Sequence, residues 1–518
     1  MSATPPLAPI RPAAHLALLG DARVSALRQA TLGLLEDVGV HCPSEVALAI
    51  YAEHGARVDR ESGVVRIPAD VVTGAMARAP RTYTMGARSP AHDLALDGTA
   101  MYVATDGCGI ETVDPATRER RASAKADVAA SARLADALPA VGFYWPLVSA
   151  QDHPATAPLH EIDAAVRNTV KHVQTETLMG AATARFAVEI ARVLAVDDED
   201  LRARPPLSSL VCCIAPLAQD ADGLESALVF AEAGLPVGFM SMACAGSTGP
   251  ASIAGTIVQG DAEIVAALTL VQMAHPGAPV FHSLMTGVMH PRTGAHLCTS
   301  RPGDVAYVAG VELAHAWGVP TLAGVFGTDA VEPGWQQAEA AAVALTLCAL
   351  AGAETGSGMG LLDACTVWCP EALVLDADLH ERVRADLEAF DTGPEALALD
   401  IIRAVGPRGH YLDVRHTRDG LRRMSFSRLT EQLATDGSRR DPVAVARAEA
   451  ERILATHEPE PLDDARAREL DRILRAADGD RGPTAGHGTS GAPAPAAGHG
   501  TSGATAPAAT RDRGRSGA

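Results

Sequence analysis

The sequence predicts an α/β fold, specifically a TIM-type (β/α)8 barrel with an N-terminal helical extension and C-terminal additions. Eight short runs are rich in apolar and β-favouring residues, each ends in Gly, Pro or polar residues, and each is followed by a helix-like stretch. Such a succession is typical of these barrels. A doubly wound sheet stays open as an alternative, because strand count alone does not show closure. The predicted strands are 101–105, 142–149, 172–177, 209–215, 237–243, 280–284, 321–326 and 354–359.

Apolar residues at helical spacing justify the intervening helices. Asp220 and Asp261 stand before two of these stretches as candidate N-caps, because a carboxylate accepts hydrogen bonds from the first free amides of a helix. The alanine-rich stretch 340–353 lies between Glu339 and Glu354 and is typical of a packed helix. The clearest predicted helices are 124–137, 183–195, 220–233, 261–274 and 303–316.

The regions outside the barrel divide into three further segments. Residues 1–98 form an N-terminal extension with helices at 22–38 and 44–53 and a β element at 64–67, and residues 99–390 form the barrel. Residues 391–475 form a C-terminal helical extension that packs on the barrel. From 476 to 518 the composition becomes Gly, Ala, Thr, Ser and Pro, with AGHGTSGA repeated at 485–492 and 497–504. Such a segment buries too little apolar surface to order itself and is expected to be disordered.

Composition restricts the class of protein. The 518 residues carry a formal net charge of −20, which argues against a nucleic-acid partner because phosphates require a basic face. The N-terminus lacks the basic start of a signal peptide, and no uninterrupted apolar run reaches roughly 18 residues. Nine cysteines in a long chain of this kind are expected to be thiols. These features predict a cytoplasmic protein without a membrane partner, and leave a homo-oligomer open.

The predicted strand ends carry polar residues, and in such barrels chemistry takes place where strands lead into helices. The set contains several carboxylates and one imidazole, without a cationic cluster, so it suits a cationic or neutral small molecule better than a phosphate. No HExxH or close His pair predicts a metal site, although Asp, Glu and His are usual ligands. The strand-end residues are Asp106, Gln151, Asp152, Glu176, Ser247, Thr248, His282, Ser283, Thr328, Asp329 and Asp363.

Several ordered blocks resemble the trimethylamine methyltransferase family. The central block, CAGSTGPASIAGTIVQGDAEIVAALTLVQMAHPGAPVFHS at 244–283, is similar to the family's Gly-rich turn, AEI helix and PGAPV strand. Further blocks in the same order extend the resemblance over roughly residues 20–430. They are LLEDVGVHC at 34–42, ATDGCGIETVDPATRERR at 104–121, DVAASARLADALPAVGF at 127–143, PRTGA at 291–295, WCPEALVLDADL at 368–379 and GPRGHYLDVRHT at 406–417.

The resemblance implies a methyltransferase that moves a methyl group from a methylated amine to the cobalt of a separate corrinoid protein. Some family members carry pyrrolysine, whereas all 518 residues here are standard. The chain therefore resembles the members without pyrrolysine, which include glycine betaine methyltransferases, and a quaternary amine is favoured over trimethylamine. Corrinoid domains use a D-x-H-x-x-G segment, and Asp378-Leu-His380 is not followed by the required glycine. The chain is thus expected to bind no cofactor itself, the corrinoid being supplied by a partner protein.

A quaternary ammonium site should combine aromatic faces with carboxylates, because both attract the cation. The predicted substrate-binding residues are Asp106, Tyr144, Glu176, His282, Phe326 and Asp329, and no catalytic residue or metal ligand is assigned. Other aromatic candidates are Phe143, Trp145, Phe281 and Trp335, about half of the strand aromatics being expected in the core because alternate strand residues face opposite ways. If the ligand is a betaine, its carboxylate needs donors, for which His282, Thr328, Ser247 and Arg292 are available.

Two other hypotheses stay open at this point. A metal-dependent lyase or hydrolase on the same barrel would use Asp106, Glu176, His282 and Asp329. A non-catalytic protein would bind a methylated amine without turning it over. Both remain because a family resemblance names a mechanism without establishing its substrate.

Overall fold

The computed structural model describes residues 4–480, except 108, 177, 179, 423–426, 428 and 430–436. The last described helix, Asp464–Asp480, continues into the segment expected to be disordered from residue 476. Residues 476–480 are therefore helical, because Leu474 and Ala477 bury their side chains against the rest of the fold. The remainder of the expected tail, 481–518, lies outside the described residues.

Eight parallel strands form the centre of the described fold, and they match the eight predicted strands in order. Four of them, β3 to β6, form one sheet in chain order. The other sheet has the order β7-β8-β1-β2, so the eighth strand pairs with the first. This order differs from a doubly wound sheet, in which strand order reverses at a switch point. The strands are β1 (Tyr102–Thr105), β2 (Val141–Phe143), β3 (Val173–Glu176), β4 (Leu207–Cys212), β5 (Val237–Ser241), β6 (Val280–Leu284), β7 (Leu322–Gly324) and β8 (Thr355–Met359).

Isolated parallel bridges connect the edges of the two sheets. Tyr144, directly after β2, bridges to Val173 of β3, and His282 of β6 bridges to Thr321 beside β7. The amide of Gln174 donates to the Tyr144 carbonyl at 2.9 Å, which shows that this junction is hydrogen-bonded. The predicted α/β architecture of parallel strands alternating with helices is confirmed.

A helix follows each of the eight strands. The predicted cap at Asp220 is confirmed, since its carboxylate accepts from the Gly223 amide at 2.6 Å. The predicted cap at Asp261 is wrong, because that helix begins at Ile253 and places Asp261 in its interior. The helices of the repeat are α1 (Lys125–Ala137), α2 (Ala157–Asn168), α3 (Gly180–Leu194), α4 (Ala221–Ala233), α5 (Ile253–Ala274), α6 (Arg301–Trp317), α7 (Trp335–Ala351) and α8 (Pro370–Leu387).

Helix α5 is long and apolar enough to cross a membrane by length and composition alone. However, 78% of its most apolar window is buried, and it contacts β5, β6 and the N-terminal helices. Its apolar surface is therefore used as the packing surface of a core helix.

Two hydrophobic clusters separate the two faces of the strands. The inner cluster contains side chains from both sheets and from the hairpin Tyr83–Met85 and Leu94–Leu96, and the outer cluster fills the space between strands and helices. In β1, Tyr102 and Ala104 belong to the inner cluster and Val103 to the outer one, as the strand period of two requires. The inner cluster consists of Met85, Leu94, Leu96, Ala100, Tyr102, Ala104, Phe143, Trp145, Leu210, Met240, Phe281 and Leu322.

The terminal extensions contact the repeat through buried polar links. Asp136 at the end of α1 receives hydrogen bonds from Thr4, Thr169 and the Val170 amide, and its second oxygen lies 2.7 Å from Nε2 of His457. The N-terminal part contains the helices Asp21–Asp37, Glu45–Glu53 and Ala69–Met76 and the antiparallel strands Val40–His41, Arg57–Asp59 and Val64–Arg66. The C-terminal part contains the helices Pro394–Leu397, Leu399–Val405, Arg415–Leu421, Pro442–Thr456 and Asp464–Asp480.

Candidate functional site

Two of the predicted acids, Asp106 and Glu176, lie at the ends of β1 and β3. Both are at positions that face inward. Asp106 follows Tyr102 and Ala104 in the inward alternation of β1 and is 8% exposed. Glu176 is the last residue of β3, and its Oε1 accepts from the Cys212 thiol of β4 at 3.3 Å. Both carboxyls therefore face the space between the sheets at the ends of their strands, which we call the mouth.

Asp106 belongs to a row of three side chains across adjacent strands. The pairing of Ala104 with Phe143 places Asp106 opposite Trp145, and the bridge from Tyr144 to Val173 places Trp145 opposite Gln174. The Trp145 backbone is held by Thr105, whose Oγ1 accepts from the Trp145 amide at 2.8 Å and donates to its carbonyl at 2.6 Å. The row Asp106, Trp145 and Gln174 thus lines the mouth, with Glu176 on the next inward position of β3.

Burial makes these carboxyls unusually weak acids. The pKa of Asp106 is raised well above its ordinary value by burial, then by Cys365 and Glu176 beside it, with only the Gly107 amide acting in the opposite direction. Burial raises the pKa of Glu176 to about 7, and the Glu161 carboxyl adds to this while the hydrogen bond with Cys212 opposes it. A site of this kind favours a cation, because a positive charge would stabilise both ionised carboxylates.

Two cysteines that the sequence analysis did not assign to the site also lie at the mouth. A Cβ placed on Gly327 would lie 3.6 Å from Sγ of Cys365 and 4.0 Å from Cβ of Cys298, so both side chains meet beside this glycine. Their mutual hydrogen bond and their burial raise the pKa of Cys298, and Cys365 also interacts with Asp106. No sequence signal marks them, because they are distant from each other and from Asp106 along the chain.

The loop that carries Cys365 has an unusual backbone. Asp363, Ala364 and Cys365 are three successive residues with φ of 54°, 53° and 62°, in the left-handed region that non-glycine residues seldom adopt. Each such residue costs of order 1–3 kcal/mol, and such strain is concentrated at functional sites. The strained loop thus holds the Cys365 thiol against Asp106.

Asp329 has a positioning role in the structure. Its oxygens accept from the amides of Cys298 and Thr299 at 3.0 Å and from the Thr299 hydroxyl at 2.9 Å. These bonds hold the loop before α6 and place Cys298 at the mouth. A direct contact of Asp329 with substrate stays a prediction.

His282 does not face the mouth, contrary to the sequence-based expectation. It is fully buried on the outer side of β6, where Nε2 lies 2.9 Å from Oδ1 of Asp261 in α5. The same aspartate accepts from Thr31 and from the Trp317 indole. The expectation was wrong because Val280, His282 and Leu284 form the outward alternation of β6, whereas Phe281 points inward.

Tyr144 also lies away from the mouth row. The Tyr144 hydroxyl is 2.8 Å from Ser131 Oγ of α1 and donates to the Val128 carbonyl, so the ring packs between strand and helix. Phe326 is 1% exposed, and its contact with substrate stays a prediction. The aromatic residue at the mouth is Trp145, which directly follows Tyr144 and takes the opposite face.

The comparisons with known proteins agree with the resemblance seen in the sequence. The family model described as trimethylamine methyltransferase (MTTB) matches residues 3–477. Trimethylamine methyltransferase MttB of Desulfitobacterium hafniense is 29% identical over 472 residues, 90% of this chain and 95% of that protein. Glycine betaine methyltransferase of Desulfitobacterium hafniense strain Y51 is 27% identical over 481 residues, 90% of this chain and 98% of that protein.

Among solved structures, the monomethylamine methyltransferase MtmB of Methanosarcina barkeri aligns with a TM-score of 0.45 at 11% identity, over 88% of this chain and 92% of that one. The match of the family model over nearly the whole described chain establishes the relationship. The chain belongs to the trimethylamine methyltransferase family and is a methyltransferase.

Proposed function

We propose that this protein transfers a methyl group from a quaternary or tertiary methylated amine, such as a betaine, to the cobalt of a separate corrinoid protein. The observation that carries the substrate class is the pair of inward-facing carboxyls, Asp106 and Glu176, beside the Trp145 ring at the mouth. Carboxylates and an aromatic face are the groups that attract an ammonium ion.

For a quaternary amine, the chemistry requires little of the enzyme beyond alignment. In a quaternary ammonium the electron pair of the broken C–N bond leaves with the amine, which becomes neutral without receiving a proton. The methyl carbon forms its new bond to cobalt(I), which becomes methylcobalt(III). The protein contributes binding, orientation and exclusion of competing water.

The geometry of the strands supports a single closed barrel around this site. Each sheet contributes four strands in cyclic order, and the bridges from Tyr144 to Val173 and from His282 to Thr321 lie at the two junctions. In the closed arrangement all eight strand ends surround one mouth, as in the TIM-type fold. The acids of β1 and β3 would then share a cavity with the loops that follow β6, β7 and β8.

We propose that the corrinoid is bound by a partner protein. The segment Asp378-Leu-His380, which begins like a corrinoid motif, offers no accessible histidine to ligate cobalt. His380 is fully buried in α8, and neither of its ring nitrogens has a hydrogen-bond partner. Burial lowers the pKa of this histidine to about 3, as expected for a ring held neutral in the core. Such a side chain cannot reach a cobalt outside the fold.

Several exposed apolar side chains are proposed to contact the corrinoid protein. They follow the strand ends or begin the next helices, which is the edge of the fold that a methyl acceptor must approach. We call this set the apolar rim: Ile110, Ile214, Met242, Val331 and Trp335.

A methyl-transfer assay tests the proposal. Purified protein is mixed with reduced corrinoid, both free cob(I)alamin and corrinoid proteins from methylamine-using systems, and with a panel of methylamines and betaines. The expected result is loss of the cobalt(I) absorbance and appearance of methylcobalt(III) with at least one quaternary or tertiary amine. Binding without turnover across the whole panel would instead favour the non-catalytic alternative.

The metal-dependent alternative receives no support from the positions of its residues. His282 pairs with Asp261 on the outer side of β6, and Asp329 accepts hydrogen bonds from loop amides. His282 and Asp329 therefore do not join Asp106 and Glu176 in one set of metal ligands. Among the described residues no group of three or more His, Cys, Asp or Glu side chains is arranged to hold a metal ion. Stoichiometric metal in purified protein would revive this alternative. A cytoplasmic location remains part of the proposal, and a homo-oligomer stays open.

A further inference from the structure

Two inward-facing side chains at the mouth carry polar atoms without hydrogen-bond partners. Nε1 of Trp145 and both amide atoms of Gln174 are buried and unpartnered. Trp145 is 2% exposed and Gln174 is fully buried. An unsatisfied buried polar atom costs about 1–3 kcal/mol, so three together indicate that another group completes them.

The two residues are neighbours in the row that lines the mouth. Trp145 and Gln174 are opposite each other on neighbouring strands, which are spaced about 4.8 Å apart. Val173 belongs to the outer cluster, so Gln174 faces the interior together with Trp145 of the inner cluster. Asp106 lies on the other side of Trp145 in the same row.

The donors match one kind of chemical group. The indole N–H and the amide N–H2 can each donate to one oxygen of a carboxylate. The remaining amide oxygen of Gln174 is a favourable neighbour for an ammonium, as are Asp106 and Glu176. A zwitterion with a short arm between its ammonium and its carboxylate satisfies all of these groups together.

We propose that Trp145 and Gln174 form the specificity-determining subsite of this methyltransferase, which binds a hydrogen-bond-accepting arm of the methylated amine and turns its methyl groups toward the open mouth. The inference rests on the proposed function for the presence of a methylated amine. The subsite supplies the orientation that the reaction needs. An arm anchored at the barrel interior directs the N-methyl groups outward, where an acceptor on another protein can reach them.

A comparison of two ligands measures how much the arm contributes to binding. Glycine betaine and tetramethylammonium differ in that a carboxymethyl group replaces one methyl group, and calorimetry gives the affinity of each without any corrinoid. Wild-type protein is expected to bind glycine betaine at least tenfold more tightly, because a site built for hydrogen bonds discriminates against an analogue that lacks them. Equal affinities for the two ions would overturn the subsite even if no variant could be purified.

Two substitutions remove the donors while keeping most of the volume. Trp145→Phe and Gln174→Met should each lower the preference for glycine betaine by at least tenfold, with affinity for tetramethylammonium little changed. Ser209→Ala is the matched control, because Ser209 Oγ is also buried and unpartnered but belongs to the outward alternation of β4, with Leu207 and Val211. A preference retained in both variants would show that water completes these atoms, and would overturn the proposal.

The outcome is separable from that of the proposed function. If no amine of the methyl-transfer panel is turned over, the methylated-amine function itself fails. If both bind equally and methyl transfer proceeds, the function stands and the subsite is rejected.

Discussion

The indole ring of Trp145 lies directly against the backbone of Gly107. A Cβ built on Gly107 would be 1.8 Å from both Cε2 and Nε1 of the indole, far inside any permitted contact. Only a residue without a side chain allows the tryptophan to occupy this position at the mouth. Glycine is required at position 107 because the indole ring approaches the backbone so closely.

Gly107→Ala should therefore displace Trp145 and weaken ligand binding. The overpacking costs about 1–3 kcal/mol of stability, and we expect glycine betaine affinity to fall by about tenfold or more. Calorimetry and thermal unfolding measure the two effects. Gly74→Ala is the control: nothing lies within 4 Å of its added Cβ, so it should leave affinity unchanged. Unaltered affinity in the Gly107 variant would show that the indole position does not matter for binding.

The raised pKa of Glu176 predicts a pH-dependent affinity for cations. The groups that face it are Cys212 on β4, Glu161 on α2 and Asp106 on β1, and burial is the largest influence. Because only the ionised carboxylate attracts a cation, affinity for tetramethylammonium should rise as pH increases through about 7, by up to tenfold per pH unit below it. Glu176→Gln should remove this inflection, whereas Asp152→Asn, at an exposed acid, should keep it. A wild-type profile that is flat between pH 6 and 8 would contradict the prediction.

The raised pKa of Glu176 makes folding stability fall with increasing pH, whereas it makes cation affinity rise. The folded state holds the Glu176 proton more tightly than the unfolded chain does, so its stabilising contribution is present below the ordinary glutamate pKa. That contribution is lost as pH rises through about 7. Without ligand, Glu176→Gln should therefore lose less stability than wild type between pH 6 and 8, as measured by chemical unfolding.

The pair of His282 and Asp261 should affect stability without affecting binding. His282→Ala leaves a cavity between β6 and α5 and removes one partner of a buried carboxylate, at an expected cost of about 2–4 kcal/mol. Denaturant unfolding measures this loss, and calorimetry at a temperature where the variant is folded should give wild-type affinity for glycine betaine. A selective loss of affinity in a fully folded variant would return His282 to the site.

Replacing Trp335 of the apolar rim should slow methyl transfer only when the acceptor is a corrinoid protein. It is 82% exposed at the first residue of α7. Trp335→Ala should slow methyl transfer to a corrinoid protein by about tenfold, the scale expected when an exposed aromatic anchor is lost, while transfer to free cob(I)alamin stays unchanged. Phe390→Ala is the matched control, because Phe390 is 85% exposed beyond the far end of α8. Equal slowing with both acceptors would place Trp335 in the substrate site instead of a docking surface.

Much of the secondary structure was predictable because local signals agree with the fold. The strand 280–284 was predicted with the bounds that the structure has, and α4 begins at its predicted cap Asp220. The start of α5 was missed because Asp261 has the residue type of a cap, while its actual partners, His282 and Thr31, are distant in the chain. Capping chemistry is local, whereas a buried carboxylate in a helix interior is explained only by its tertiary neighbours.

The candidate site was predictable in part for the same reason. The acids Asp106 and Glu176 were identified because each follows a recognisable strand, and the structure places both at inward positions. The contribution of Cys298 and Cys365 could not be anticipated, since a free cysteine is most often an ordinary core residue. Trp145 was considered among several aromatics, but its position beside Asp106 depends on the register between β1 and β2.

The sequence by itself determined the order of strands and helices, the family and the acidic character of two strand ends. The tertiary structure alone decided which side chains face the mouth. Strands buried on both faces are apolar throughout, so their sequence does not show which alternation points inward. A difference of one residue reverses the direction of a side chain, and for that reason Trp145 lines the mouth while Tyr144 packs against α1.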